Sequence, residues 1–427
     1  LGANSIVCEI LPYELDPNIC YIQVEDSSFA LGVISSNFYN NPSSNLKLIG
    51  VTGTNGKTTT VTLLYNLFKL LGHKVGLLST VINKIDDLEI HSTHTTPDAI
   101  EINKLLADMH KQECEFVFME VSSHAVSQNR ISGLNFFGGV FSNITRDHLD
   151  YHNTFENYIS AKKKFFDLLP SSAFALINSN QEQAKIMIAD TKAKVFTYAL
   201  NSDADYKGEI INNDFSGLSL KINSKNVSSK LIGKFNAYNL LSAYSTAILL
   251  DQEKELVLAA IKQIDAPEGR FEYYISQNDI RAIVDYAHTP DALENVLRTI
   301  NAIRTGEEQL ITVLGCGGDR DKGKRPLMAK IACDYTNQLI LTSDNPRTEN
   351  PNDIISDMQE GMQKACYEKT LSILDRKQAI KEACRMSNSK DILLIAGKGH
   401  EKYQEINGEK FPFDDMKIVV ETLNNNI

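Results

Sequence analysis

Gly53-Thr54-Asn55-Gly56-Lys57-Thr58-Thr59-Thr60 combines two glycines, a lysine and a run of hydroxyls, with an apolar run before it and a helical pattern after it. A loop of this kind sets backbone N–H groups around a polyphosphate. The N-terminus of the following helix adds partial positive charge, and Lys57 adds a full one. Thr58 has its hydroxyl where such loops hold Mg²⁺. The strict pattern wants glycine five residues before Gly56; Val51 stands there, so the loop is a variant. A Gly/Thr turn with a chance Gly-Lys pair is the alternative, and the flanking strand and helix patterns argue against it.

Two further groups could work with that loop. Glu120 ends the apolar run Phe116-Val117-Phe118-Met119, and a carboxylate at the C-terminal end of a parallel strand is where a magnesium ligand belongs. The segment Asn143 to His152 is dense in side chains that bind metal or phosphate. Thr154 then reads as the N-cap of a helix through Leu169, with the apolar stripe Phe155, Tyr158, Ile159, Phe165, Phe166, Leu169. Lys162 sits inside that stripe. Either it snorkels outward like Lys163 and Lys164, or it is buried with a lowered pKa, and its neutral amine can then take up CO₂ as a carbamate, a carboxylate-like magnesium ligand.

Positioning these groups requires strand ends. Strand patterns alternate with helical ones along the chain, which predicts an α/β fold with mainly parallel sheets. A strand over Leu46–Thr52 feeds the loop, and a helix over Thr58–Leu71 leaves it, stopped by Gly72. Further buried strands are expected at Phe116–Val121 and Gly139–Ser142. A break falls at Asp265-Ala266-Pro267-Glu268-Gly269. Beyond it, strands at Ala282–Asp285, Gln309–Leu314, Gln338–Thr342 and Asp391–Ala396 predict a Rossmann-like domain. Ahead of the loop, residues 1–46 hold a short strand at Tyr21–Val24 and a helix ending near Tyr39, with Asn40–Asn45 as linker. The expected division is 1–46, a partial N-terminal domain; 47–268, a central P-loop ATPase domain; and 269–427, a C-terminal Rossmann-like domain.

Composition bounds the partners. The 427 residues carry a formal net charge of -11, which argues against a nucleic-acid binder. No apolar run is long enough to span a bilayer, and no signal peptide is expected. The chain opens without Met at Leu1-Gly2-Ala3-Asn4 and reads as a fragment. Seven scattered cysteines, none in a CxxC pair, argue against a disulfide framework or zinc site and fit a reducing cytoplasm.

Taken in order, these motifs resemble the Mur ligases of peptidoglycan synthesis. Thr52 through Thr58 is similar to that family's ATP loop. Glu120-Val121-Ser122-Ser123-His124, Asn143 through His148 and Gly233-Lys234-Phe235-Asn236-Ala237-Tyr238-Asn239 are similar to its central-domain signatures. Gly269-Arg270-Phe271-Glu272, Asp285 through Pro290 and Gly315 through Arg325 follow in family order, so the resemblance covers essentially the whole chain. It implies an ATP-dependent ligase that forms an amide through an acyl-phosphate, works in cell-wall biogenesis and so in cell shape and division, and acts in the cytoplasm as a monomer. It implies ATP at Gly53 through Thr59, Asn239, Arg270, Asp285 and His288, the last four when the C-terminal domain closes. It implies Thr58 and Glu120 on one Mg²⁺, His148 and carbamylated Lys162 on a second, and Lys57, His148 and Lys162 as the residues that carry the chemistry.

Within the family the resemblance is to the branch that adds the third peptide residue to a UDP-muramoyl dipeptide. Asp344-Asn345-Pro346-Arg347 is similar to the form that accepts meso-2,6-diaminopimelate rather than lysine. Arginine suits the extra far-end carboxylate of that amino acid. Arg320, Asp344, Asn345, Pro346, Arg347, Gly397 and Glu401 match the family's third-substrate pocket, with Glu401 suited to an amino group. Thr95, Thr96, Ser122, Gln128 and Arg130 match its nucleotide-sugar peptide site. Family members carry a first domain that binds uridine, and residues 1–46 resemble only its second half. The alternatives are the lysine-adding ligase, a folylpolyglutamate synthetase-like ligase, and an inactive nucleotide-binding fragment.

Overall fold

The structure, a computed structural model, describes residues 2–92, 94–360 and 362–425. They divide into two compact units: residues up to Ile210 with Leu220–Ser228 and Phe235–Ile264, and Ile211–Ser219 with Ser229–Lys234 and the described residues from Asp265 on.

In chain order the first part runs β1 (Ser5–Cys8), β2 (Cys20–Gln23), α1 (Ser27–Phe38), β3 (Lys47–Thr52), α2 (Lys57–Leu70), β4 (Val75–Leu78), β5 (Ile82–Ile85), β6 (Leu88–His91) and α3 (Ala99–Lys111). It continues through β7 (Phe116–Glu120), α4 (Ser123–Ser127), β8 (Gly138–Phe141), α5 (Leu149–His152), α6 (Phe155–Asp167), β9 (Phe174–Asn178), α7 (Ala184–Met187) and β10 (Lys194–Leu200). Then come β11 (Tyr206–Asp214), β12 (Gly217–Ile222), β13 (Lys225–Ser229), α8 (Lys234–Leu249) and α9 (Lys254–Ile261). Strands β3 to β13 form one sheet in the order β13-β12-β11-β10-β9-β8-β3-β7-β4-β5-β6.

The central strands of this sheet are parallel and buried on both faces, as their unbroken apolar runs require. Register sets Val51 beside Glu120 and Thr52 beside Phe141, so the C-terminal ends of β3, β7 and β8 open on one edge. The predicted linker at Asn40–Asn45 folds as one turn of 3₁₀ helix over Pro42–Asn45. Helix α6 starts at its Thr154 cap, whose hydroxyl accepts from Asn157 N. Its Phe165 ring lies where a Cβ on Gly50 or Gly139 would come within 2.5 or 2.9 Å. Those two glycines therefore let α6 lie close on β3 and β8, which brings Lys162 to the end of β3.

The second part holds β14 (Glu272–Ile275), β15 (Arg281–Asp285), α10 (Pro290–Ile303), β16 (Leu310–Cys316), α11 (Lys324–Tyr335), β17 (Gln338–Ser343), α12 (Pro351–Gln359) and α13 (Lys364–Tyr367). It ends with β18 (Thr370–Ser372), α14 (Arg376–Met386), β19 (Ile392–Ala396), β20 (Tyr403–Ile406), β21 (Glu409–Pro412) and α15 (Asp415–Asn425). Its sheet order is β14-β15-β19-β16-β17-β18, with only β14 antiparallel. The parallel strands bring Asp285, Gly397, Gly317 and Asp344 to one C-terminal edge, where open α/β sheets bind ligands.

Cys333 of α11 and Cys366 of α13 lie side by side, with Cα atoms 6.0 Å apart. Their separation of 33 residues hid a contact that exists only once the two helices pack. Among the described residues no helix is long and apolar enough to cross a membrane.

Candidate functional site

The loop after β3 is held from below by the end of β8. Thr54 N donates to Asn143 O at 2.9 Å, Asn55 N to Asn143 Oδ1 at 2.9 Å, and Asn143 Nδ2 to Asn55 O at 2.9 Å. Ser142 Oγ adds a bond to Asn55 O at 2.8 Å. Gly56 has φ +84°, a left-handed conformation, and a Cβ there would stand 2.6 Å from Asn239 Oδ1. A Cβ on Gly53 would meet Ser142 Oγ at 1.9 Å. Glycine is thus required at both positions by close packing as well as by φ. Lys57 Nζ curls back to Gly53 O and Thr54 O, both at 2.8 Å, and Thr58 and Thr59 lie buried in the first turn of α2. Asn239 turns its amide to the same place: Oδ1 accepts from Thr60 Oγ1 at 3.4 Å and Nδ2 donates to Asn236 Oδ1 at 3.0 Å. Val51, which departs from the strict motif, is an ordinary buried strand residue.

Lys162 is 1% exposed, so the snorkelling alternative fails. Its Nζ donates to Gly53 O at 2.8 Å and stands 4.6 Å from the Tyr158 ring centroid. Burial, with Lys57 close by, holds this amine well below the usual lysine range, against the pull of Asp147. His148 has φ +53° at the head of α5; its Nε2 is 3.6 Å from Asp147 Oδ2, and its ring is 6.0 Å from that of Tyr158. The Tyr158 hydroxyl pairs with Thr54 Oγ1 at 3.1 Å. Tyr158 therefore links the loop, His148 and Lys162.

Glu120 is fully buried at the end of β7. Oε1 accepts from Thr80 N at 2.7 Å, whereas Oε2 is buried with no hydrogen-bond partner. A half-satisfied buried carboxylate is costly without a cation, so this oxygen fits a magnesium ion. Among the described residues there is no group of three or more His, Cys, Asp or Glu that could hold a metal ion.

The five residues expected at the nucleotide-sugar peptide site fall beside Glu120. Thr96 Oγ1 donates to Glu120 O at 2.7 Å and accepts from Ser122 N at 3.1 Å; Thr95 Oγ1 accepts from Thr80 Oγ1 at 3.1 Å. Arg130 reaches Thr96 O at 2.8 Å and Gln128 Oε1 at 2.6 Å.

In the second unit, Asp285 Oδ2 accepts from Phe271 N at 2.7 Å. Burial pushes its carboxyl up to about 6, with Arg270 pulling the other way. The Arg270 guanidinium lies 4.5 Å over the Tyr286 ring, whose centroid is 4.6 Å from His288 and 4.8 Å from His400. Burial holds His400 down at about 3. Three of the expected ATP residues thus gather round one aromatic stack.

The residues expected to hold the third substrate lie just beyond the ends of β16, β17 and β19. Asp344 and Asn345 are buried, and Asn345 Nδ2 donates to Glu401 Oε2 at 2.7 Å. Arg347 Nη1 donates to Gly318 O at 2.7 Å, and Nε is 3.3 Å from Glu405 Oε2. A Cβ on Gly317 would lie 3.0 Å from Arg347 Nη1 and 3.8 Å from Arg320 Cγ, so both side chains border this glycine. A Cβ on Gly397 would lie 2.8 Å from Asp344 Oδ2. Sequence reasoning missed the supports. Arg325, fully buried on α11, binds Glu349, Asp357 and Gly317 O and holds the loop that carries Arg320. Gln404 Nε2 holds Asp344 O at 2.6 Å. A buried arginine or lysine among glycines was the available signal.

Residues 51–247 match the Mur ligase middle domain, and residues 269–399 match the Mur ligase glutamate ligase domain. A protein of Cytophaga hutchinsonii named UDP-N-acetylmuramoyl-L-alanyl-D-glutamate--2,6-diaminopimelate ligase is 57% identical over 423 residues, 99% of this chain and 87% of the relative. Its namesake in Bacteroides thetaiotaomicron is 52% identical over 423 residues, 99% of this chain and 88% of the relative. A solved structure with the same name superposes at a TM-score of 0.70 with 34% identity, covering 99% of this chain and 87% of that one. The folylpolyglutamate synthase of Thermotoga maritima, at 15% identity and TM-score 0.66 over 86% of this chain and 90% of that one, shares the fold alone.

Proposed function

Because this chain belongs to the Mur ligase family, we propose that it joins meso-2,6-diaminopimelate to the D-glutamate carboxylate of UDP-N-acetylmuramoyl-L-alanyl-D-glutamate, with ATP, in peptidoglycan synthesis. The observation that carries this reading is the 57% identity to a ligase of that name along nearly the whole chain. The site agrees with it: arginines beside buried Asp344 and Asn345 and part-buried Glu401 suit an amino acid whose far end bears both a carboxylate and an ammonium. The enzyme works as a cytoplasmic monomer on small-molecule substrates. Residues 1–46 belong to a UDP-sugar-binding domain, residues 47–268 to the ATPase domain and residues 269–427 to the amino-acid domain.

The reaction brings two anions together, so positioning and charge neutralisation matter more than a side-chain nucleophile. The loop from Gly53 to Thr59 binds the ATP phosphates through backbone N–H groups, and Lys57 swings its ammonium from Gly53 O and Thr54 O to their charge. Thr58 and Glu120 would hold one Mg²⁺, and His148 with Lys162, carbamylated by CO₂, would hold a second; the metal would supply screening of the phosphates and stabilisation of the charge on the transferring phosphoryl group. The depressed basicity of Lys162 keeps its amine neutral, the form that adds to CO₂ with loss of a proton. Thr95, Thr96, Ser122, Gln128 and Arg130 hold the dipeptide end, whose carboxylate takes the γ-phosphate to give an acyl phosphate. Asn239, Arg270, Asp285 and His288 contact ATP. Arg320, Asn345, Arg347, Gly397 and Glu401 hold the diamino acid as its amine displaces phosphate.

Phosphate release from ATP with the UDP-muramoyl dipeptide tests this. Turnover with diaminopimelate is expected to exceed turnover with lysine by at least about a hundredfold in kcat/KM, since a site built for a charged group rejects analogues that leave its buried polar atoms unpaired. Faster turnover with lysine would sink the substrate assignment. In the same assay Lys162→Ala in bicarbonate buffer should lose nearly all activity; an unchanged rate removes the carbamate.

A further inference from the structure

Resting on the function just proposed, we infer that Lys398 is the positioning residue of the diamino-acid pocket. Its buried ammonium decides which oxygen of Glu401 and which side of the Asn345 amide meet the far end of the amino acid, and so helps select an end that carries a carboxylate as well as an ammonium.

Lys398 lies between the two glycines of Gly397-Lys398-Gly399, just after β19, and is 0% exposed. A buried ammonium must place its three N–H groups. Here Nζ reaches Asn345 Oδ1 at 2.8 Å, Glu401 Oε2 at 3.1 Å and Asp344 Oδ1 at 3.3 Å, and stands 5.7 Å from the centroid of the Tyr403 ring. All three partners belong to the amino-acid pocket.

The consequence for Asn345 is geometric. Its Oδ1 accepts from Lys398 Nζ and also from Glu405 N at 2.9 Å, which fills both lone pairs. The amide cannot turn over without setting its NH₂ against two donors. Its Nδ2 is therefore committed to Glu401 Oε2, at 2.7 Å. Both Lys398 and Asn345 then converge on Oε2 of Glu401, which leaves Oε1 to take an incoming ammonium.

The consequence for charge is simple. Asp344 and Glu401 bring two negative charges into a buried site, and Lys398 returns one. The remaining negative charge matches one substrate ammonium and still tolerates a neighbouring carboxylate at Arg347. Without Lys398 the pocket is more negative by one charge, and Asn345 Oδ1 keeps Glu405 N as its one remaining donor, so the amide and the Glu401 oxygen it holds are less firmly fixed. A far end with a carboxylate then suffers more than the bare ammonium of lysine. The step lost is recognition, not chemistry.

The test is steady-state phosphate release by the intact protein with ATP and the UDP-muramoyl dipeptide, comparing wild type with Lys398→Met. The KM for diaminopimelate should rise by at least about tenfold, the loss expected for a charge-assisted hydrogen-bond network. The KM for ATP should stay within about twofold, and the ratio of kcat/KM for diaminopimelate over lysine should fall by at least about tenfold. An unchanged ratio, an unchanged KM for diaminopimelate, or equal losses for ATP and diaminopimelate would overturn the inference. Should Lys398→Met lack a cooperative melting transition, Asp344→Asn combined with Lys398→Met restores the charge balance, and the same ratio decides. Failure of both variants to fold assigns Lys398 a purely structural role and overturns the inference. Wild type inactive with diaminopimelate strikes the proposed function itself; an active wild type matched by an equally selective Lys398→Met strikes only the role of Lys398.

Discussion

A buried amine and a buried carboxyl are both driven toward neutrality by desolvation, as Lys162 and Asp285 show. Lys162 is held well below its ordinary range, and Asp285 is pushed up to about 6. For Asp285 the native state binds its proton more tightly than the unfolded chain does. As pH falls from 7 through about 6 toward 4, the folded protein takes up that proton first, so this group adds stability at lower pH and loses it as pH rises through about 6. Asp285→Asn removes the effect. In urea unfolding at pH 4.5 to 7, the stability of wild type relative to Asp285→Asn should rise by up to about 1.4 kcal/mol for each pH unit lowered within that window. A difference independent of pH would show that Asp285 titrates normally. Neither group could be settled from the sequence. Lys162 stood in an apolar stripe at helical spacing, but long lysines at such positions usually snorkel. What traps it is the close seat of Phe165 at Gly50 and Gly139, two glycines in different strands. The loop residues, by contrast, were legible one by one, because their chemistry is local to one turn.

Among the elements, the central strands were readable because parallel strands buried on both faces demand unbroken apolar runs, as in β7 and β19. The hairpin of β20 and β21 was not, since its residues are mostly half-buried or exposed and carry no such run. Yet β20 supplies Gln404 and Glu405, which hold Asp344 and Asn345 in place. The turn between β3 and α2 gives a clean test of what a glycine does at element scale. Gly56 and Gly72 both have positive φ, +84° and +91°, but a Cβ on Gly56 would meet Asn239 at 2.6 Å whereas Gly72 has nothing within 4 Å. Both alanine variants should lose about 1–2 kcal/mol of stability to backbone strain. Only Gly56→Ala should also lower kcat/KM for ATP, by at least about tenfold, because the loop must shift off α8. Thermal melting and ATP kinetics on the pair decide it; equal kinetics would mean that the close packing of Gly56 on Asn239 has no bearing on phosphate binding.

At the scale of the molecule, the break at Asp265–Gly269 was visible as a change from helix pattern to turn residues. The membership of Ile211–Ser219 and Ser229–Lys234 in the second unit was not, because short hairpin strands carry no long-range label. Each unit has a core of its own: Leu48, Val117, Phe141 and Phe165 lie in the first, Val284, Val313, Ile340 and Ile395 in the second. Cores that hold separate sheets can be lost separately. Phe165→Ala empties a fully buried site against Gly50 and should cost about 3–5 kcal/mol. Arg376→Met breaks the fully buried pair between Arg376 and Asp415, 2.7 Å apart, and leaves a carboxylate uncompensated, again about 3–5 kcal/mol. Scanning calorimetry should therefore resolve two transitions, with Phe165→Ala lowering one and Arg376→Met the other by roughly 10 °C each. If both variants lower the same single transition, the two cores unfold as one cooperative block, and the stability of the phosphate loop cannot be varied without that of the amino-acid pocket.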